Sequence, residues 1–253
     1  MAERMRVAPD LLAVLRCPVC RGRLRVVGDW ALACVACGRA FRIRGGVPDF
    51  RVPECYGARN LAQRPLYDAY APLYDWLEGR LMGGVGIDEL KLRSHVVDLL
   101  SVPPSGRVLE VAVGTGANLP LIRSRTSGLI VGLDISERML AECAARLEEQ
   151  GVSGVGLVLG CAERLPFGDG PFDAVLIGGG VAWYSDPSAA IREALRVVKP
   201  GSRVVILEQL TCIERAARRD LVIARAVAQG GRLAHVEYAT DGAVLVLAVE
   251  RRG

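Results

Sequence analysis

An α/β fold with a mostly parallel seven-stranded sheet is what the sequence predicts, and three observations carry it. From residue 107 onward, short apolar runs at 107–112, 129–134, 155–159, 172–178 and 203–208 alternate with helical patterns at 118–123, 136–150, 187–198 and 212–228. Such alternation makes a parallel sheet covered by helices on both faces. Two further apolar runs, 233–238 and 244–250, are separated only by residues 239–243, where the turn Ala239-Thr240-Asp241-Gly242 closes an antiparallel hairpin at the end of the sheet. The first strand runs into the glycine turn Gly114-Thr115-Gly116 and then a helix. The 253 residues, 51% hydrophobic and 24% charged, suffice to bury such a core without disulfide staples, and they exclude collagen, coiled coil and disorder.

In chain order, the N-terminal segment is set apart by charge and cysteine content. Residues 1–51 hold ten arginines against Glu3, Asp10, Asp29 and Asp49, whereas the remainder holds 22 basic and 24 acidic residues. The net charge of +4 therefore conceals a basic segment joined to a slightly acidic one, and is too small by itself to imply a nucleic-acid partner. The apolar run Leu11 to Leu15 is followed by Arg16, and no run approaches the about 18 residues that span a bilayer. The expectation is a cytoplasmic protein with reduced thiols.

Eight cysteines in that setting need a reason other than disulfides. Cys17-Pro-Val-Cys20 and Cys34-Val-Ala-Cys37 form two C-x2-C pairs with thirteen residues between them. Two thiolates on a tight turn can face one Zn²⁺, and two such turns complete a closed tetrahedron. Four free buried thiols or two disulfides are the alternatives. Four thiolates leave no open catalytic position, so the expected role of the metal is structural. Cys55, Cys143 and Cys212 read as small packing thiols.

A Pro- and Gly-punctuated stretch at 45–57 separates this segment from a helical region. Tyr70, Leu73, Tyr74 and Leu77 share a helical face, and a second helix is expected over 88–100, ended by Pro103-Pro104. The expected division is a zinc ribbon over 1–53 and a second domain over 54–253, with cap helices at 60–100.

The glycine turn becomes more specific with two additions. Asp134 ends the next strand, eighteen residues after Gly116, where a carboxylate can accept from ribose hydroxyls. The loop also lacks the third glycine that packs beside a pyrophosphate, and Glu110 in the preceding strand would repel a diphosphate but accept an ammonium.

That combination resembles the class I S-adenosylmethionine-dependent methyltransferases, with their Rossmann-like sheet, in the branch of the ubiquinone/menaquinone and phospholipid methyltransferases. The stretches that carry it are Val108 to Leu119, Val131 to Leu140, Glu163 to Phe167, Phe172 to Val175 and Glu193 to Gly201, with Tyr67 to Asp75 resembling that branch's N-terminal helix. The resemblance implies that Glu110, Gly114 and Gly116 border the methionine moiety. Asp134 would hold the ribose, Ile135, Ala162 and Glu163 would lie at the adenine, and Gly178 would face the sulfonium. Ala112, Thr115, Asn118, Met139 and Cys161 complete the expected cofactor shell. Ala112 stands where the family often has glycine, and Cys161 where it often has an aspartate that accepts from adenine. Residues 11–20, 32–38 and 41–48 resemble the Trm112-like zinc ribbons, small scaffolds that bind and stabilise methyltransferases.

No general base stands out. Tyr70, Tyr74, Trp183, Tyr184, Glu208 and His235 are the weak catalytic candidates, each equally readable as packing or surface, and His95 reads as a surface histidine. The expected activity is methyl transfer to a small-molecule or lipid-like acceptor. The alternatives are rRNA or tRNA methylation through the basic ribbon, and a cofactor-binding scaffold without activity. The ribbon offers only Trp30, Phe41 and Phe50 for stacking on bases. The sequence leaves oligomeric state open.

Overall fold

The computed structural model describes residues 7–53, 88–181, 184–209, 224–226, 228–239 and 244–253. Tyr70, Tyr74, Trp183, Cys55, Cys212, the cap region before residue 88, the hairpin turn and most of the helix expected over 212–228 lie outside them. Elements are numbered here over the described residues.

A first small sheet has strand order β1-β2-β3-β4, all antiparallel: β1 (Leu24–Val27), β2 (Ala31–Cys34), β3 (Ala40–Arg44) and β4 (Val47–Pro48), preceded by helix α1 (Pro9–Val14). The second sheet has order β10-β11-β9-β8-β5-β6-β7. Its parallel members are β5 (Val108–Val111), β6 (Ile130–Asp134), β7 (Val155–Leu159), β8 (Phe172–Ile177) and β9 (Val198–Gln209). The antiparallel pair β10 (Gly231–Ala239) and β11 (Val244–Arg251) closes one side, as the short turn predicts. Every residue of β5 and β6 is buried, the mark of strands covered on both faces.

Among the described residues, α2 (Glu89–Leu99), α3 (Leu119–Arg123), α4 (Glu137–Glu149) and α5 (Pro187–Val197) dress this sheet. Their starts follow local chemistry. Asp88, Ser136 and Asp186 each cap a helix by accepting from the backbone amide three residues on. Strand β9 begins at Val198, directly where α5 ends, five residues before the start expected from hydropathy. Lys199-Pro200-Gly201 is absorbed into a bulge, seen as a register shift between Phe172 and Ala174 on the partner strand. Proline is tolerated there because a bulge needs no ladder hydrogen bond from its nitrogen.

The small sheet is not a separate bead. Strand β7 is the terminal strand of the large sheet, and an open strand edge is a template for unwanted pairing. The ribbon covers that edge. Asp49 bridges Leu159 in parallel, and the Phe50 amide donates to the Leu159 carbonyl at 2.8 Å. At the other end of the following loop, Leu15 bridges Phe167, the Arg16 amide donates to Pro166 O at 2.8 Å and the Gly168 amide to Val14 O at 3.2 Å. Leu11, Leu15, Leu32, Phe41 and Phe50 belong to one continuous apolar cluster with Leu133, Val158 and Val175 of the large sheet and Phe167 of the loop after β7. Full burial of such side chains stabilises by about 1.5–3 kcal/mol each. Ion pairs at the rim join Arg21 to Glu193 and both Arg44 and Arg51 to Glu137. Among the described residues no helix is long and apolar enough to cross a membrane.

Candidate functional site

The carboxyl ends of β5, β6 and β8 converge on the glycine turn. Leaving β5, the chain passes through Ala112 at φ 57°, Gly114 at 55° and Gly116 at 81°. A left-handed backbone is strained for an alanine. Gly116 is required twice over. Its φ disfavours a side chain, and a Cβ there would lie 2.6 Å from the Cys143 sulfur of α4.

Asp134 holds this turn in place. Its Oδ2 accepts from the Gly114 amide and its Oδ1 from the Ser136 amide, both at 2.9 Å. One carboxylate thus ties the glycine turn to the start of α4. Ser136 is fully buried, and its hydroxyl accepts from the Met139 amide at 3.1 Å.

Glu110 stands apart among the described residues. It is 1% exposed, its Oε1 accepts from Asn118 Nδ2 at 2.7 Å, and among the described residues its Oε2 finds no hydrogen-bond partner. Burial pushes its carboxyl up to about 7, against the Asn118 bond and the charge of Arg93. A buried unsatisfied carboxylate oxygen is costly and calls for a partner beyond the described residues. Gly178 makes room for it, since a Cβ at that position would stand 2.9 Å from Glu110 Oε1.

Arg93 completes this arrangement and is not evident from sequence. From α2 it donates through Nη1 to Asn118 Oδ1 at 3.0 Å, while its Nε donates to Glu89 at 2.7 Å. Its contact depends on how α2 packs, and no local motif announces it.

The loop after β7 carries Cys161, Ala162 and Glu163, the first two buried. The Glu163 carboxylate accepts from the Ser185 amide at 2.9 Å, so it braces the segment after β8. Glu208, 2% exposed at the end of β9, accepts from the Val181 amide at 2.9 Å and fixes the turn containing Gly179 and Gly180. Tyr184 donates to the Gly179 carbonyl at 3.4 Å in that turn. The structure therefore brings Glu110, Ala112, Gly114, Thr115, Gly116, Asn118, Asp134 and Gly178 into one hydrogen-bonded neighbourhood. His235 is elsewhere, on β10, the strand at the far side of the sheet.

The four ribbon cysteines form a second site. Their sulfurs all lie within 4.8 Å of one another, with Cys17 to Cys37 at 3.8 Å and Cys20 to Cys34 at 3.4 Å. A tetrahedral Zn²⁺ with Zn–S of about 2.3 Å demands sulfurs about 3.8 Å apart, so the donor set fits that ion. All four are free thiols. Gly22 is a residue the spacing alone does not single out. A Cβ there would stand 2.8 Å from the Cys34 sulfur and 3.3 Å from that of Cys20.

Comparisons with known proteins agree with this geometry. The profile of the ubiE/COQ5 methyltransferase family matches residues 66–221, and that of the Trm112p-like proteins matches residues 8–46. The ubiquinone/menaquinone biosynthesis C-methyltransferase UbiE of Pseudomonas putida (strain F1) is 37% identical over 161 residues, 62% of this chain and 60% of that protein. The chain thus spans about 60% of the length of that curated relative. Among solved structures, a chain of the Haloferax volcanii complex between the Trm112 methyltransferase activator and a candidate methyltransferase superposes with a TM-score of 0.59. It is 17% identical, and the match covers 74% of this chain and 98% of that one. The geranyl diphosphate C-methyltransferase of Streptomyces coelicolor A3(2), bound to S-adenosyl-L-homocysteine, gives a TM-score of 0.57 at 14% identity, covering 64% of this chain and 79% of that one. At such identities the structures speak for the fold alone. The family match over most of the chain goes further, and with it the glycine turn, the buried Glu110 and Asp134 become intelligible together: this chain belongs to the ubiE/COQ5 family of class I S-adenosylmethionine-dependent methyltransferases, with a Trm112-like ribbon at its N-terminal side.

Proposed function

We propose that the protein binds S-adenosylmethionine at the turn between β5 and α3 and methylates a small-molecule or lipid-like acceptor. The observation that carries this reading is the buried Glu110 carboxylate, one oxygen of which has no partner among the described residues, beside a glycine turn braced by Asp134. S-adenosylmethionine supplies an electrophilic methyl group on a sulfonium sulfur.

In this reading Glu110 receives the cofactor's ammonium, the glycine turn lies along the methionine moiety, and Asp134 accepts from the ribose. Ile135, Met139, Cys161, Ala162 and Glu163 line the adenine side. Zn²⁺ sits on Cys17, Cys20, Cys34 and Cys37 and has a structural role. The chain's task in methyl transfer is to align the nucleophile behind the methyl group and keep water out, which needs no strong base. Glu208 and Tyr184 shape the turn at Gly179 and Gly180 and have their polar atoms engaged with backbone. That engagement suits positioning of an acceptor better than proton abstraction. The division into a ribbon over 1–53 and an enzyme domain over 54–253 belongs to this proposal.

The acceptor class is supported by the name of the curated relatives, which act in ubiquinone and menaquinone biosynthesis. RNA is the weaker reading. Arg21, Arg44 and Arg51 of the ribbon pair with acids of the large sheet's helices, and of the three ribbon aromatics only Trp30 is exposed. Labelling a cell extract with methyl-labelled cofactor and separating RNA, lipid and small molecules tests this. Label in the lipid or small-molecule fraction is expected, and label confined to RNA would overturn the acceptor class.

Glu110 gives the site a pH signature. Its folded-state value of about 7 lies above the ordinary 4.5, so burial favours its protonated form. The associated stability is fully present below about 4.5 and is lost as the pH rises through about 7. An ammonium requires the ionised form, so cofactor affinity should fall by about tenfold per pH unit below that value and level off above it. Glu110→Gln keeps the Asn118 partner and removes the charge. Its titration curves, measured by calorimetry from acid to mildly alkaline pH, should be flat and weaker than wild type above pH 7. A wild-type affinity independent of pH would contradict the assignment.

A further inference from the structure

The chain contains only two histidines, and the fold brings both to one carboxylate. His95 lies on α2 and His235 on β10, with Glu237 two residues further along the same strand. His95 Nε2 stands 2.8 Å from Glu237 Oε2, and His235 Nε2 stands 3.1 Å from the same oxygen. All three ligand atoms lie within 4.8 Å of one another. The imidazoles meet edge to face, with ring centroids 5.9 Å apart and planes at 71°. The two nitrogens therefore approach one point from different directions, as coordination requires and as a stacked pair could not.

We propose that His95, His235 and Glu237 form a second metal site, distinct from the four-cysteine ribbon, that takes a late first-row divalent transition ion such as Zn²⁺. Two imidazoles and one carboxylate are the donor set such ions prefer, and three protein ligands leave a fourth position for water. In a tetrahedral Zn²⁺ site with bonds of about 2.0–2.1 Å the donor atoms lie about 3.3 Å apart. The observed contacts of 2.8 and 3.1 Å need only a small outward adjustment. The side chains are 44%, 34% and 40% exposed, which gives an ion a direct path from solvent.

In the ion-free form each ring donates an Nε2 proton to Glu237. On binding, both rings shift to the Nδ1–H tautomer and present neutral Nε2 lone pairs, so no net proton need be released. The hydrogen bonds from His235 and then His95 hold the Glu237 carboxyl below its ordinary value, so the carboxylate is available as a ligand. The ion would tie α2 to β10, the end strand of the sheet among the described residues, with the ribbon untouched.

The test uses full-length, tag-free protein equilibrated with buffered Zn²⁺ and analysed for metal content. Two zinc ions per chain are expected in the wild type, and one in His95→Ala and in Glu237→Gln, which retain the ribbon zinc. One ion per chain in all three proteins, or two in all three, would overturn the proposal. Because the chain has only two histidines, the imidazole ¹⁵N spectrum gives an independent reading. Both rings should move to the Nδ1–H tautomer when the second equivalent of Zn²⁺ is added. Unchanged ring nitrogens would refute coordination whatever the variants do.

Discussion

Cys34→Ser is expected to release the ribbon zinc and to destabilise the whole protein, not its N-terminal segment alone. Three thiolates do not close a structural tetrahedron, and the ribbon cannot replace the lost energy from a core of its own. Its apolar residues belong to the same cluster as the large sheet, so unseating Leu15 and Phe50 uncovers Phe167 and Leu159. The expected loss is about 4 kcal/mol or more, the class in which removal of a metal falls among single substitutions. For a domain of this size that lowers Tm by roughly 10 °C. Metal analysis and calorimetric melting of the variant measure both effects. Loss of zinc with an unchanged melt would show that the ribbon is not part of the folding unit.

The second large effect is expected at Asp134. Its two oxygens hold the Gly114 and Ser136 amides, so Asp134→Ala frees the glycine turn and also removes the acceptor proposed for the ribose. Hydrogen bonds to a charged group contribute about 1.5–3 kcal/mol each. Loss of the equivalent of one or two of them weakens cofactor binding by on the order of a hundredfold. The turn is local, so the melt should move far less than in Cys34→Ser. A variant with wild-type affinity would remove Asp134 from the proposed site.

The parts of this molecule that were readable from sequence share a local signature. Strands β5 to β8 follow from short apolar runs, and helices α2, α4 and α5 from the helical patterns around them. The Gly114 and Gly116 turn, Asp134 and the four cysteines follow from spacing, because a tight turn and a tetrahedral ion each restrict which residues fit. What remained hidden depends on distant chain segments. The seating of the ribbon on β7 rests on a two-residue strand and isolated bridges, too short for any hydrophobic period. Arg93 reaches Asn118 only because α2 packs over the glycine turn. His95 and Glu237 meet across 142 positions of sequence, and His235 had invited a catalytic reading that its place on an outer strand does not favour. The basic charge of the N-terminal segment suggested RNA, while the structure shows three of its arginines paired with acids of the large sheet's helices.

The central claim is that the turn between β5 and α3, with Glu110 and Asp134, binds S-adenosylmethionine. Calorimetric titration of the zinc-loaded, full-length protein with that compound tests it most directly. One site per chain, weakened in Asp134→Ala and losing its pH dependence in Glu110→Gln, is the predicted result. No detectable binding by the folded wild-type protein would contradict it and leave the chain a methyltransferase fold serving as a scaffold.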